Sequence, residues 1–77
     1  MILGIQIKMA RAAVGWGVRE LAQAAGVAVD TITRLERGDQ IMPRTRAAIE
    51  EALADAGVIF IDENGEGPGV RLRRLDK

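Results

Sequence analysis

The sequence contains no cysteine, no histidine and no tyrosine among its 77 residues. Without cysteine, the chain can form no disulfide, no iron–sulfur cluster and no thiolate zinc site. Without histidine, it lacks the commonest metal ligand and the side chain that most often acts as a general base near neutral pH. We therefore expect no metal, no cofactor and no enzymatic activity.

Long apolar runs are also missing, although 48% of the residues are hydrophobic. Residues 1–7 are apolar, but the basic residues Lys8 and Arg11 follow this stretch, whereas a signal peptide carries its basic residues first. No run approaches the roughly 18 apolar residues of a transmembrane helix. We therefore predict a cytoplasmic protein that does not contact a membrane.

The chain is short, and this limits its core. A domain of this size buries only about 60% of the surface that its unfolded chain exposes, so a partner subunit would add stability. The 29% of charged residues and the two prolines are typical of a folded domain. Eleven basic residues balance eleven acidic ones, and a net charge of zero is unusual for a nucleic-acid-binding protein. We expect one small domain and favour a dimer.

Hydrophobic periodicity predicts four short helices. Apolar residues recur at three- and four-residue steps, and the predicted helices cover residues 5–14, 18–25, 28–37 and 44–56. A glycine follows each of them, where it can adopt the left-handed conformation that ends a helix: Gly15, Gly26, Gly38 and Gly57. Pro43 suits the first turn of the fourth helix. Trp16 is expected to anchor the first turn in the core.

The pattern changes after Gly57. Residues 58–61 place β-branched and aromatic side chains on consecutive positions, as in a strand that is apolar on both faces. Residues 62–69 are rich in turn formers, and residues 70–73 alternate as a half-buried strand does. The predicted fold is mainly α, with four helices followed by a short C-terminal β-hairpin or strand pair.

The most informative segment covers residues 21–38. Small Ala22 and Ala25 let two helices approach closely, and Gly26 provides the tight turn between them. Ile32 then fixes the second helix against the first. A pair of this kind crosses at a steep angle and projects its second helix, which is the geometry that fits a helix into the major groove of DNA.

Three motifs carry a resemblance to a known family. They are Arg11-x-x-x-Gly15, Leu21-Ala22-x-x-Ala25-Gly26-Val27 and Ile32-x-Arg34-Leu35-Glu36-x-Gly38. On these residues the chain resembles the Cro/C1-type helix-turn-helix family, also called the XRE family of lambda-repressor-like DNA-binding domains. The resemblance covers residues 6–57 and is closest to very small, single-domain bacterial regulators. It implies a DNA-binding domain over residues 1–57 and a β extension for dimerisation over residues 58–77.

The resemblance also implies which side chains meet DNA. Base edges would be contacted from the second helix of the motif by Val29, Asp30, Thr31, Thr33 and Arg34. Phosphates would be contacted from helix ends by Arg19, Arg37, Arg44, Thr45 and Arg46. Asp30 has two interpretations, because it can accept a hydrogen bond from cytosine or cap its own helix, and the local role is favoured.

Arg11 and Glu36 occupy positions that often form a structural ion pair in this family. An unpaired Glu36 would repel nearby phosphates, so pairing is favoured over DNA contact. Two features depart from the family pattern. Gly17 and Val18 stand where many members have a Ser/Thr cap followed by Gln, and Ala28 stands where many have Ser. The phosphate clamp of those members is therefore not implied here.

The C-terminal strands are predicted to mediate dimerisation. Val58 and Phe60 face one side of a strand and Ile59 and Ile61 the other, and so short a chain hardly covers both sides. An exposed apolar strand without a partner would promote aggregation. We favour an intermolecular contact over a hairpin that only covers the helices, and the predicted contact residues are Val58, Ile59, Phe60, Ile61, Val70 and Leu72.

The sequence thus favours a regulator of bacterial transcription, a repressor or an activator, that binds a pseudo-palindromic operator in double-stranded DNA as a homodimer. We expect it in the cytoplasm with the nucleoid, with RNA polymerase or a protein antagonist as further candidate partners and no small-molecule ligand. The alternative is an antitoxin-type protein whose tail binds a protein partner, and an ordered, self-pairing tail would count against it. Seven basic and four acidic residues lie between positions 8 and 46, which leaves a modest basic face.

Overall fold

Four helices and two strands follow one another in the computed structural model, which describes residues 2–73. The elements are α1 Gly4–Ala13, α2 Val18–Ala25, α3 Val29–Arg37, α4 Pro43–Asp55, β1 Val58–Ile61 and β2 Gly69–Leu72. The mainly α fold with a C-terminal β-hairpin is confirmed, and each helix begins and ends within one residue of its predicted bounds. Residues 74–77 of the predicted β extension lie outside the described residues.

Left-handed glycines end the two helices of the motif. Gly26 follows α2 with a φ of 73°, and Gly38 follows α3 with a φ of 103°. In both turns the next residue donates a backbone hydrogen bond to a carbonyl in the last turn, from Val27 to Ala22 and from Asp39 to Arg34, each at 3.0 Å. This arrangement satisfies carbonyls at the helix end and turns the chain sharply. It therefore directs α3 away from α2.

One core receives side chains from all four helices and from β1. Its buried apolar members are Ile7, Ala10, Leu21, Ala22, Ile32, Leu35, Ile49, Ala52, Leu53 and Val58. Trp16 in the α1–α2 turn is half-buried and packs against this core. Each helix thus buries one apolar stripe and leaves its other face exposed. Among the residues described, no helix is long and apolar enough to cross a bilayer.

α1 begins directly against the last turn of α3. A Cβ atom placed on Gly4 would lie 2.9 Å from the carbonyl oxygen of Glu36 and would clash with the carbonyl oxygen of Leu35. Real Cβ atoms do not come this close to backbone oxygens, so this approach requires a glycine. The absence of a side chain at Gly4 lets the two helices meet.

The two strands pair within the chain as an antiparallel hairpin. Val58 lies opposite Leu72, and Ile61 lies opposite Gly69. Val58 is buried in the core, and Phe60 and Val70, which face each other across the ladder, pack against it. The inner face of the hairpin is therefore covered by the helices of the same chain.

Gln6 joins the hairpin to α1. Its side chain is fully buried, and its Nε2 donates to the carbonyl oxygens of Ile61 at 3.1 Å and Gly69 at 3.0 Å. Its Oε1 accepts the backbone N–H of Leu3 at 2.8 Å, at the start of the helix. The sequence pattern placed Gln6 among the polar residues that interrupt the apolar stripe. The structure instead makes it the one buried polar side chain of the described core.

Replacing Gln6 with Leu should destabilise the protein, because Leu leaves the Leu3 N–H without an acceptor and removes both bonds to the hairpin. We expect the free energy of unfolding in urea to fall by about 1–3 kcal/mol. Amide exchange in β1 and β2 should accelerate as well. Gln23→Leu on the exposed face of α2 is the matched control and should change stability by no more than about 0.5 kcal/mol. Equal losses in the two variants would contradict this role of Gln6.

Candidate nucleic-acid interface

α3 has one buried side and one exposed side. Ile32 and Leu35 are buried in the core, where they fix the helix against α1 and α2. Thr31 and Glu36 are half-buried, and the exposed side chains of the helix are Val29, Asp30, Thr33, Arg34 and Arg37. Since residues three and four apart share one face of a helix, these side chains form one continuous surface. Four of the five predicted base-contacting residues lie on it.

The first turn of α3 has no side-chain cap. Its N-cap residue is Ala28, and no side chain accepts a hydrogen bond at this helix start among residues 2–73. The favoured interpretation of Asp30 as a hydrogen-bonding cap is therefore wrong. Its carboxylate is exposed in the first turn, where the helix dipole still favours a negative charge. The backbone alone begins this helix.

Thr31, the fifth predicted base-contacting residue, is half-buried in a cleft between α3 and the start of α4. The cleft has a volume of about 260 Å³, and its lining residues are Thr31, Arg34, Gln40, Ile41, Met42 and Thr45. It brings two predicted base-contacting residues next to one predicted phosphate-contacting residue. Gln40 and the exposed Met42 were not singled out from the sequence, because loop residues between helices carry no periodic signal.

The hydroxyl group of Thr33 is engaged with its own helix. It donates to the carbonyl oxygen of Val29 at 3.3 Å, one turn earlier. A threonine on a helix often makes this bond. The oxygen lone pairs and the methyl group of Thr33 remain available on the exposed surface, so the side chain can still accept a hydrogen bond or contact an apolar group.

Asp39 contacts two arginines of α3. Its Oδ2 lies 2.7 Å from Nη2 of Arg37 and 3.8 Å from Nε of Arg34. The hydrogen bond from Arg37 lowers the pKa of the Asp39 carboxyl below its usual value, and the same bond raises the pKa of Arg37. Asp39 therefore stays ionised throughout the neutral range. In the sequence, Asp39 is only one of the four acidic residues between positions 8 and 46.

Arg11 and Glu36 form a bidentate ion pair beneath α3. Nε of Arg11 lies 2.7 Å from Oε2 of Glu36, and Nη2 lies 3.0 Å from Oε1. Nη1 donates to the carbonyl oxygen of Trp16 at 3.2 Å. The two side chains are only 17% and 10% exposed, and the hydrogen bond to Glu36 raises the pKa of Arg11. One guanidinium thus connects α1, the following turn and the end of α3.

The predicted phosphate-contacting residues differ in their surroundings. Arg19 is exposed in the first turn of α2, and Arg44 is exposed in the first turn of α4. Thr45 is half-buried beside the cleft. Arg46 is only 19% exposed, and its Nε lies 3.3 Å from Oε2 of Glu50, one turn along α4. Arg46 therefore already has an anionic partner.

Glu20, for which the sequence had suggested no role, stabilises the start of α2. Oε1 of Glu20 accepts the backbone N–H of Gly17 at 2.8 Å. Glu at the third helical position is the carboxylate half of a capping box, so the spacing Gly17-x-x-Glu20 was a usable signal. Glu20 thus stabilises a helix start where Gly17 has no side chain to cap it.

The six predicted dimerisation residues also fall into different environments. Val58 is buried within the chain, and Phe60 and Val70 pack against its core. Ile61 is half-buried. Ile59 is 39% exposed, and Leu72 is 50% exposed. Ile59 and Leu72 are therefore the most exposed apolar residues of the hairpin, and the strand register places them on opposite faces.

A double-mutant cycle on Arg11→Met and Glu36→Gln should reveal a strong coupling. Each single change leaves a partly buried charge or polar group without its partner, so we expect losses of about 1–3 kcal/mol and a coupling energy above about 1 kcal/mol. The pair Arg46→Met and Glu50→Gln, which makes a single 3.3 Å contact one turn apart on α4, is the control, and it should couple by about 0.3–0.5 kcal/mol. Urea unfolding measures both cycles. Equal coupling in the two cycles would rule out a special role for Arg11.

Comparison with known proteins agrees with this architecture. A family model described as a helix-turn-helix domain matches residues 2–56, from the residue pair before α1 to the end of α4. A search of curated proteins finds no match. The matched region covers well over half of the chain and includes α2, α3 and the turn between them. The chain therefore belongs to the helix-turn-helix domain family.

Proposed function

We propose that this protein is a transcription regulator that binds a pseudo-palindromic promoter operator in double-stranded DNA as a homodimer. The observation that carries the proposal is the exposed surface of α3. This helix buries Ile32 and Leu35, holds Glu36 in the ion pair with Arg11, and turns a row of hydrogen-bonding and apolar side chains outward. In a helix-turn-helix the second helix enters the major groove, where each base pair presents its own pattern of donors, acceptors and methyl groups.

Each exposed side chain of α3 suits a particular base-edge contact. The terminal amino groups of Arg34 can donate to O6 and N7 of guanine, and Asp30 can accept from the amino group of cytosine. Val29 and the methyl group of Thr33 can pack on a thymine methyl group. Thr31 contributes from the edge of the cleft, with a hydroxyl group that suits either base type. We therefore assign base recognition to five residues of α3, Val29, Asp30, Thr31, Thr33 and Arg34.

Phosphate contacts would come from residues around this surface. Arg19 and Arg44 are exposed in the first turns of their helices, Arg37 lies on the last turn of α3, and Thr45 adds a hydroxyl group beside Arg34. Arg46 would contact a phosphate only by leaving Glu50, and Arg37 would have to loosen its contact with Asp39. The number of cations available per subunit is therefore small, and a moderate dependence of affinity on salt follows.

Dimerisation through the hairpin would place two copies of α3 on one duplex. Residues 1–57 act as the DNA-binding part in this proposal, and the hairpin as the dimerisation element. Because the strands already pair within the chain, the partner would meet the outer face of the hairpin, at Ile59 and the half-buried Ile61, rather than exchange a strand. The ordered, self-paired hairpin also favours a regulator over an antitoxin whose tail mainly covers a toxin.

In this proposal the protein regulates transcription by occupying its operator, and it performs no chemical reaction. Bound at a promoter, it would repress by blocking RNA polymerase or activate by contacting it. The same proposal places it in the bacterial cytoplasm, associated with the nucleoid. A protein antagonist or its own concentration would control it.

The direct test selects a binding sequence from random duplexes of about 30 base pairs and measures affinity over a salt series. We expect a pseudo-palindrome with half-sites about one helical turn apart, bound about 10³-fold or more tightly than random DNA. Arg34→Ala should cost about 1–3 kcal/mol and relax the preference at one base pair of each half-site.

Arg44→Ala should weaken binding to every duplex alike and reduce the salt slope by about one. Lys8→Ala, a change of the same charge at an exposed position of α1, is the control and should leave affinity and slope unchanged. Affinity that is indifferent to salt and to competitor DNA would refute the proposed function. An unaltered site preference in Arg34→Ala would refute only its role in base recognition.

Ile59→Asp should separate dimerisation from folding. A carboxylate on the outer face of the hairpin opposes an apolar dimer contact but leaves the core intact. Sedimentation should show a monomer, and affinity for the full operator should fall while the unfolding midpoint stays nearly constant. Ile5→Asp, at an exposed position on α1, is the control and should remain a dimer. An Ile59→Asp variant that still dimerises would place the dimer contact elsewhere.

A further inference from the structure

Asp39 is placed beside α3 by the turn that ends this helix. Gly38 adopts a left-handed conformation, and the backbone N–H of Asp39 then donates to the carbonyl oxygen of Arg34 at 3.0 Å. This hydrogen bond folds the chain back over the last turn of the helix. The backbone of Asp39 is therefore held against the last turn of α3, within reach of the arginines on that turn.

The carboxylate contacts its two arginines in different ways. Its Oδ2 accepts a hydrogen bond from Nη2 of Arg37 at 2.7 Å, so a terminal amino group of that arginine is occupied. Arg34 approaches with Nε, at 3.8 Å. In the described part of the chain, no hydrogen bond engages the terminal amino groups of Arg34. Those groups are the ones that a bidentate contact with guanine uses.

No other carboxylate among residues 2–73 lies within salt-bridge distance of either arginine. All three side chains are exposed, and pairs in such surroundings add little to folding stability. Asp39 therefore contributes little to folding, and we expect its main effect on DNA binding. A phosphate that binds Arg37 through Nη2 has to displace Asp39, and one that binds the other N–H groups of Arg37 still meets the negative charge of that carboxylate. A base that approaches the terminal amino groups of Arg34 displaces no hydrogen bond.

We propose that Asp39 is a specificity-determining residue: its carboxylate withholds Arg37 from phosphates and steadies Arg34 for base recognition. This inference rests on the proposed DNA-binding function. Random DNA is held almost entirely by phosphate contacts, so withholding one cation weakens non-specific binding directly. Operator binding adds base contacts, which Asp39 leaves available. One side chain thus increases the ratio of specific to non-specific affinity.

The test compares Asp39→Asn with the wild-type chain on two probes, the selected operator duplex and a random duplex of equal length, over a salt series. We expect Asp39→Asn to bind the random duplex roughly three- to tenfold more tightly, with a salt slope steeper by about one, because Arg37 gains a phosphate. Operator affinity should change by a smaller factor, so the specificity ratio falls. Adding Arg37→Ala to Asp39→Asn should abolish the gain on random DNA.

Asp55→Asn is the matched control, since it removes one negative charge at the far end of α4. The same gain in Asp55→Asn would show a general effect of net charge and overturn the inference. An unchanged specificity ratio in Asp39→Asn would also overturn it, while operator binding by the wild-type chain would leave the proposed function intact. A wild-type chain that binds no duplex would instead refute the proposed function, and this inference with it.

Discussion

The Arg11–Glu36 ion pair is the constraint on which the orientation of α3 depends. Its three hydrogen bonds connect α1, the Trp16 turn and the last turn of α3, and its side chains are almost covered. A bidentate pair is geometrically demanding. In such surroundings, loss of either partner also leaves a charge that water reaches poorly. The close approach at Gly4 adds a second contact between the same two helices. Together they hold the angle at which α3 projects. The pair also neutralises Glu36, whose charge at the end of an exposed helix would otherwise repel phosphates.

α1 connects the hairpin to α3. Near its start, Gln6 holds both strands of the hairpin through the carbonyl groups of Ile61 and Gly69. One turn further, Arg11 holds α3. Movement of the hairpin relative to α3 would therefore have to break buried hydrogen bonds within a single ten-residue helix. If two copies meet through their hairpins, the spacing of the two α3 helices is set by this rigid connection and not by a flexible tail. A fixed spacing of reading helices is what makes half-site separation a property of the protein.

Sequence periodicity predicted the helices well because each helix buries one apolar stripe in a shared core, and the glycines marked the ends. The details that failed depend on long-range geometry or on a missing side chain. Gln6 bonds to residues 55 and 63 positions away, and no local pattern indicates such partners. Asp39 reaches Arg37 only because Gly38 turns the chain back. The cap expected from Asp30 did not form, whereas the Glu20 cap and the Arg46–Glu50 pair had local signals, at spacings of three and four residues.

A net charge of zero is compatible with DNA binding once the pairing of the charges is considered. Several basic residues near α3 are already neutralised, Arg11 by Glu36, Arg46 by Glu50 and Arg37 by Asp39. Long-range attraction of one chain to any duplex is therefore weak. Weak non-specific binding favours occupancy of the specific site at equilibrium, because a genome offers about 10⁶–10⁹ competing sites and the specificity ratio, not the bare affinity, decides which sites are filled. A DNA-binding protein with few unpaired cations binds weakly to DNA whose bases it does not recognise. An exposed, hydrogen-bonding helix such as α3 can then supply most of the affinity at a site with matching bases.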